Sequence, residues 1–171
     1  MLWRGCILVM TGNAKDAVQT ITSGLAAYRS TGAALWLPFY LSYLTKSYAA
    51  LGQFDDASRS VDEAKTVIER TKETWFEADV HRIAGEIALL SPKPDAAKAE
   101  AYFERALAVA RQQQAKSWEL RAAMSMARLW RSQGKAQQAR ELLAPVYGWF
   151  TEGFDTIDLR EGKALLEELA S

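Results

Sequence analysis

The chain carries a fourfold echo with a period of about forty residues, in which a turn is followed by a helix marked by a small residue. The echo runs Gly12-Asn13-Ala14-Lys15-Asp16-Ala17, then Gly52-Gln53-Phe54-Asp55-Asp56-Ala57, a variant over Asp95 to Ala99, and Gly134-Lys135-Ala136-Gln137-Gln138-Ala139. The marking alanines, Ala17, Ala57, Ala99 and Ala139, stand 40, 42 and 40 residues apart. A period between about twenty and fifty residues is the sign of a repeat architecture, in which each unit buries its apolar face only against its neighbours. Such a chain builds surfaces.

Between the glycine and proline punctuation, apolar residues recur at three- and four-residue spacings, which predicts helices throughout. The predicted helices cover 1–11 and 14–30, 36–51 and 54–72, 75–90 and 95–114, and 117–133 and 136–151, grouped as repeats over 1–32, 33–73, 74–115 and 116–153. A closing helix follows over 155–170, so that the 171 residues form a single domain. Pro145 has no backbone donor and predicts a kink or an end near Ala144.

In the second unit, Tyr48-Ala49-Ala50-Leu51-Gly52, Phe54, Ala57, Val61 and Ala64 resemble the tetratricopeptide repeat (TPR), which places aromatic, glycine, small and bulky residues at these offsets. Trp130, Gly134, Ala139, Leu143 and Val146 repeat the pattern in the fourth unit. The third keeps Ala99, Phe103 and Ala106 after a connection lengthened by Ser91-Pro92-Lys93-Pro94, and the first offers Gly5, Leu8, Gly12, Ala17, Ile21 and Gly24. The units exceed the family's length of about 34 residues. The resemblance implies an all-α, right-handed superhelix of about four hairpins with a C-terminal capping helix, and a non-catalytic protein-interaction role. The stretch from Leu142 to Thr156, with Asp158-Leu159 and Ala164-Leu165-Leu166, resembles the C-terminal repeat region of bacterial multidomain cyclases and transcriptional-regulator or P-loop ATPase signalling proteins. That likeness implies a regulatory tail; no Gly-x4-Gly-Lys-Ser/Thr phosphate loop is present.

Trp36, Trp75 and Trp118 each stand at the start of the first helix of a unit, as wedges between successive hairpins or, alternatively, as stacking platforms for a ligand. Carried through the repeat register, the surface lined by first helices presents Phe39, Ser42, Tyr43 and Lys46, then His81 and Arg82, then Arg121, Met124, Arg128 and Arg131. Phe39, Tyr43, Lys46, His81, Arg82, Arg121, Arg128 and Arg131 are the candidate binding residues. Aromatic and arginine side chains anchor protein interfaces, and arginine forks match carboxylates; the alternative is that these charges solvate an empty groove. TPR domains that clamp C-terminal carboxylates use a lysine and asparagine pattern, and the asparagines are missing here.

The first helix, Leu2-Trp3-Arg4-Gly5-Cys6-Ile7-Leu8-Val9-Met10, is apolar on almost every side and would be exposed at the end of a stack. Leu2, Trp3, Cys6, Ile7 and Met10 are therefore candidates for self-association as a homodimer. The closing helix, by contrast, is charged.

Lys plus Arg equals Asp plus Glu at 21 each, which removes any global drive toward nucleic acid or an anionic membrane. The longest apolar runs fall far short of the roughly 20 residues that span a bilayer. One cysteine, Cys6, cannot form an internal disulfide and fits a reducing, cytoplasmic setting; it reads as a buried thiol or, alternatively, a reactive one. His81 is the only histidine and has no cysteine cluster or carboxylate pair at ligand spacing, so no metal, cofactor or catalytic residue is expected. Three functions remain: binding a protein, peptide or neighbouring domain; self-assembly; or sensing a small molecule between hairpins.

Overall fold

The computed structural model describes residues 1–170. Among them there are nine helices and no strand: α1 (Leu2–Met10), α2 (Ala14–Ser30), α3 (Leu37–Ala50), α4 (Phe54–Thr71), α5 (Glu77–Leu90), α6 (Ala96–Gln112), α7 (Lys116–Ser132), α8 (Ala136–Tyr147) and α9 (Ile157–Glu168). The first eight pair as hairpins. The first helices stack on one another in the order α1, α3, α5, α7 and α9, while each second helix packs back on the first helix of the next unit. The backbones of successive second helices stay apart and are bridged only by long side chains, Arg29 to Glu63 and Lys65 to Tyr102, so a cleft opens on that side of the stack.

The turn chemistry explains where the helices stop. At Gly52 the backbone takes φ +73°, and the Gln53 N–H reaches back to the Tyr48 carbonyl at 2.9 Å; Gly12 and Gly134 close their helices in the same way. A left-handed residue just past a helix end satisfies the otherwise orphaned carbonyls, and glycine adopts it without a Cβ penalty. The turn of the third unit, over residues 91–95, has no glycine. There Ser91 is extended, the Asp95 N–H bonds to the Ala88 carbonyl at 3.0 Å, and the Asp95 carboxylate accepts from the Lys98 N–H at 2.9 Å to start α6.

Ala17, Ala57, Ala99 and Ala139 are all fully buried, as the close approach of two helices requires. Gly85 of α5 goes further, because a Cβ there would lie 2.4 Å from Cε1 of Phe103 on α6. The tryptophans and their neighbours form a row across the starts of the first helices: Trp36 lies 4.9 Å from Trp75, and Phe76 lies 5.1 Å from Trp118, centroid to centroid. Trp118 packs on Ala78, Val109 and Ala110, between one hairpin and the next.

Helix α8 differs from expectation. It passes through Pro145 and ends at Tyr147, rather than breaking near Ala144 or running on to 151. Pro145 removes only the bond to the carbonyl one turn back, and the following Gly148 N–H still reaches the Ala144 carbonyl at 2.9 Å, which completes a last turn before the chain leaves the helix.

Candidate binding surface

The solvent-facing stripe of α3 is Phe39, Tyr43 and Lys46, spaced i, i+4 and i+7 on one side of a helix whose intervening residues are mostly buried. Phe39 touches Tyr43 at 5.0 Å, Trp3 at 5.5 Å and Trp75 at 6.0 Å, the last pair nearly parallel. The Lys46 ammonium lies 5.3 Å from the centroid of the Tyr43 ring. Burial pushes the Lys46 pKa down, against the attraction of Asp79 and Glu86. Among the described residues no carboxylate comes within ion-pairing distance of it. The structure thus brings these three expected residues together.

On α5 the expected pair divides, because consecutive helical residues point about 100° apart. Arg82 faces the same side as Tyr43, but its guanidinium is spent within the chain: Nε donates to Asp79 Oδ1 at 2.6 Å, and Nη1 donates to Glu86. Ser125 of α7 donates to the same Glu86 oxygen at 3.2 Å. Burial works against the charged guanidinium, yet Asp79 and Glu86 outweigh it and hold the Arg82 pKa above its ordinary value. With its side chain only 12 % exposed, Arg82 is a structural cation rather than a free anchor. His81 turns away toward α6, its ring 6.2 Å from Tyr102 and its Nε2 3.7 Å from Glu77. Burial pushes the His81 pKa down, and Nδ1 is buried with no hydrogen-bond partner. It does not share a surface with Arg82.

The α7 arginines are likewise engaged. Arg121 Nε donates to Asp158 at 2.7 Å while its guanidinium lies 4.9 Å from the Trp118 centroid; Arg128 Nη2 donates to Glu161 at 2.8 Å; and Arg131 pairs with Glu168. All three acids belong to α9. The groove is therefore not lined by free positive charge at this end, and the charged tail helix is not polar only on its outside. Asp158, Glu161 and Glu168 face α7, while Arg160, Lys163 and Glu167 form the outer side.

At the other end, Leu2 is buried against Gly24 of α2 and Cys6 is buried in the core, so neither is part of an exposed self-association face. Burial pushes the Cys6 thiol up to about 11, which disfavours the reactive thiolate. Trp3, Ile7 and Met10 form the exposed stripe, at 58, 59 and 76 % exposure. Asp79, Glu86 and the buried Glu119 were not anticipated. Glu119 accepts from Arg111 at 2.9 Å and Lys116 at 2.7 Å, joining the end of α6 to the start of α7. The spacing Asp79, Arg82, Glu86 is the i+3 and i+4 pattern of helical ion pairs and could have revealed the fork.

A cleft of about 430 Å³ lies between α4, α5 and α6, floored by Val61, Ala84 and Ile87 and rimmed by Asp55, Lys98 and the 91–95 connection. Among the described residues no group of three His, Cys, Asp or Glu side chains could hold a metal ion, and no helix is long and apolar enough to cross a membrane.

No protein-family model matches the sequence, and no curated protein matches it. Solved structures do. Nearly identical TPR-like repeats assigned to a kinesin light chain of Podosopora anserina superpose with a TM-score of 0.71 at 16 % identity, over 98 % of this chain and 82 % of that one. A point variant of the same repeats gives 0.72 at 16 % identity over the same shares. At this identity the likeness is one of backbone architecture, and with the nine helices among the described residues it makes the chain an all-α, TPR-like solenoid.

Proposed function

We propose that the chain is a protein-interaction module that takes a peptide or helix, from a partner or a neighbouring domain, along the face of its first helices, with Phe39, Tyr43 and Lys46 as anchors. TPR-like solenoids are interaction scaffolds in general. The observation that carries the site is Lys46, a half-buried ammonium beside the Tyr43 ring with no carboxylate paired to it among the described residues, whereas Arg82 has two and Arg121, Arg128 and Arg131 have one each. A partly desolvated charge without a counter-ion is costly, so an incoming carboxylate next to an apolar group recovers energy there. Peptides selected from a random library on the wild-type chain should lose at least about tenfold in affinity on Lys46→Met and on Tyr43→Ala, read by fluorescence anisotropy. Selected peptides that bind both variants as tightly would place the interface elsewhere.

A second reading rests on Trp3, Ile7 and Met10, whose exposed stripe favours twofold self-association. Sedimentation equilibrium should give a dimer that Trp3→Ser with Ile7→Ser converts to monomer; a wild-type monomer at about 50 μM, far above ordinary dimer constants, would end this reading.

The motif resemblance of residues 142–166 supports a setting as the regulatory segment of a cytoplasmic signalling ATPase or cyclase. The sequence that adjoins the chain in its gene tests this, since a phosphate loop or cyclase domain there is the expected finding.

A further inference from the structure

Helix α9 buries fewer residues than α3, α5 or α7. Its buried residues are Leu159, Gly162 and Leu165, against nine in α7. Gly162 rests on Leu120 and Met124 of α7 and on Tyr147 of α8. Ile157 at its start is 65 % exposed, and the connection from α8 over residues 148–156 contains no helix.

What gives α9 its alignment is charge. Arg121, Arg128 and Arg131 each meet one α9 acid, at Asp158, Glu161 and Glu168. All six side chains remain partly exposed, so solvent and salt weaken the pairs, and they set position more than they hold it. The complementarity is nevertheless directional: α9 turns these acids to α7 and its basic Arg160 and Lys163 outward. An element held by few buried side chains and by screened ion pairs is among the first to open locally.

We propose that the arginine face of α7, with Leu120 and Met124 beside it, is a receptor for an acidic amphipathic helix, and that α9 is its built-in competitor. The partner that fits carries carboxylates at the spacing of Asp158, Glu161 and Glu168 and leucines at the spacing of Leu159 and Leu165. It displaces α9 rather than adding to it, so occupancy of the site and detachment of α9 are one event. The proposal shares with the Lys46-centred reading only that first helices receive protein; the residues are different.

The test uses the full chain and a fluorescein-labelled synthetic peptide of residues 155–170. Leu165→Asp frees α9 and should bind the peptide at least tenfold more tightly than wild type does. Adding Arg128→Glu to that variant should reverse most of the gain, and a peptide with Asp158, Glu161 and Glu168 replaced by lysine should not bind. A second route keeps the leucines: Asp158→Lys with Glu161→Lys, made within the chain, should also raise affinity for the wild-type peptide. In the wild-type chain, amide exchange over 157–168 should be faster than over α7 and should accelerate between 0.05 and 1 M NaCl. Equal affinity for wild type and both release variants, with circular dichroism showing the stack intact, overturns the proposal, as does equal binding of the acidic and basic peptides. Lys46→Met should leave the affinity for this peptide unchanged, so either reading can fail without the other.

Discussion

Replacing Gly85 by alanine should destabilise the protein although it adds a better helix former to the middle of a helix. The new Cβ would lie 2.4 Å from Cε1, 2.7 Å from Cδ1 and 2.9 Å from Cζ of Phe103. That ring is 1 % exposed and packed in the α6–α7 core, so it moves only by disturbing its neighbours there. Overpacking of this kind costs about 1–3 kcal/mol, and alanine recovers about 1 kcal/mol of helix propensity over glycine. The net loss is therefore about 1 kcal/mol, reaching about 2 if neither helix shifts. The sign should reverse when the ring is removed: in a Phe103→Leu background the clash is relieved, and Gly85→Ala should stabilise by about 0.5–1 kcal/mol. Urea denaturation of the four proteins of this cycle, followed by circular dichroism and compared at equal m-values, measures both numbers. A Gly85→Ala variant more stable than wild type, or one that costs the same in both backgrounds, would refute the argument. Gly24 offers a contrast, since the Cβ there meets Leu2, at 2.7 Å from Cδ2 and 2.8 Å from Cγ, an aliphatic side chain at the start of α1 rather than a ring, and Gly24→Ala should be better tolerated.

Glu119→Gln should cost about 2 kcal/mol at neutral pH, because it removes a buried carboxylate that holds both Arg111 and Lys116. Burial raises the Glu119 pKa, but Lys116 and Arg111 outweigh it and keep it below the ordinary glutamate value. Its stabilisation is thus complete above the unfolded value of about 4.3 and is lost as pH falls through the lower, folded one. Calorimetry should find the Tm gap between wild type and Glu119→Gln closing below about pH 4, and a gap independent of pH would contradict this. Gln114 holds φ +54° at a turn where Gly32 occupies the equivalent place in the first unit, so Gln114→Gly should raise stability by up to about 1 kcal/mol, visible as a higher Tm. A lower Tm would mean that the strain is compensated by side-chain contacts.

The helix and turn pattern was legible from the residues because its causes are local. Apolar spacing sets the helices, the left-handed glycine positions set their ends, and the 40-residue alanine mark sets which helix pairs with which. Eight of the nine helices among the described residues have ends within two residues of those read from the sequence. The last turn of α8 escaped because a proline removes one bond without forbidding the next two residues. The stripe of Phe39, Tyr43 and Lys46 was equally readable, as a helical face.

The sequence by itself determined that this chain is a stack of hairpins with an aromatic and basic side to its first helices, since periodicity and turn chemistry operate over a few residues. Only the tertiary structure decided which of those charges are free. Arg121 and Asp158 are 37 residues apart, Arg128 and Glu161 33, and their meeting depends on how far each hairpin is displaced on the one before it. That displacement follows from the packing of many side chains at once, and a local pattern does not contain it. It is why an even distribution of 21 positive and 21 negative residues resolves into engaged arginines at one end of the surface and an unpaired lysine among the described residues at the other.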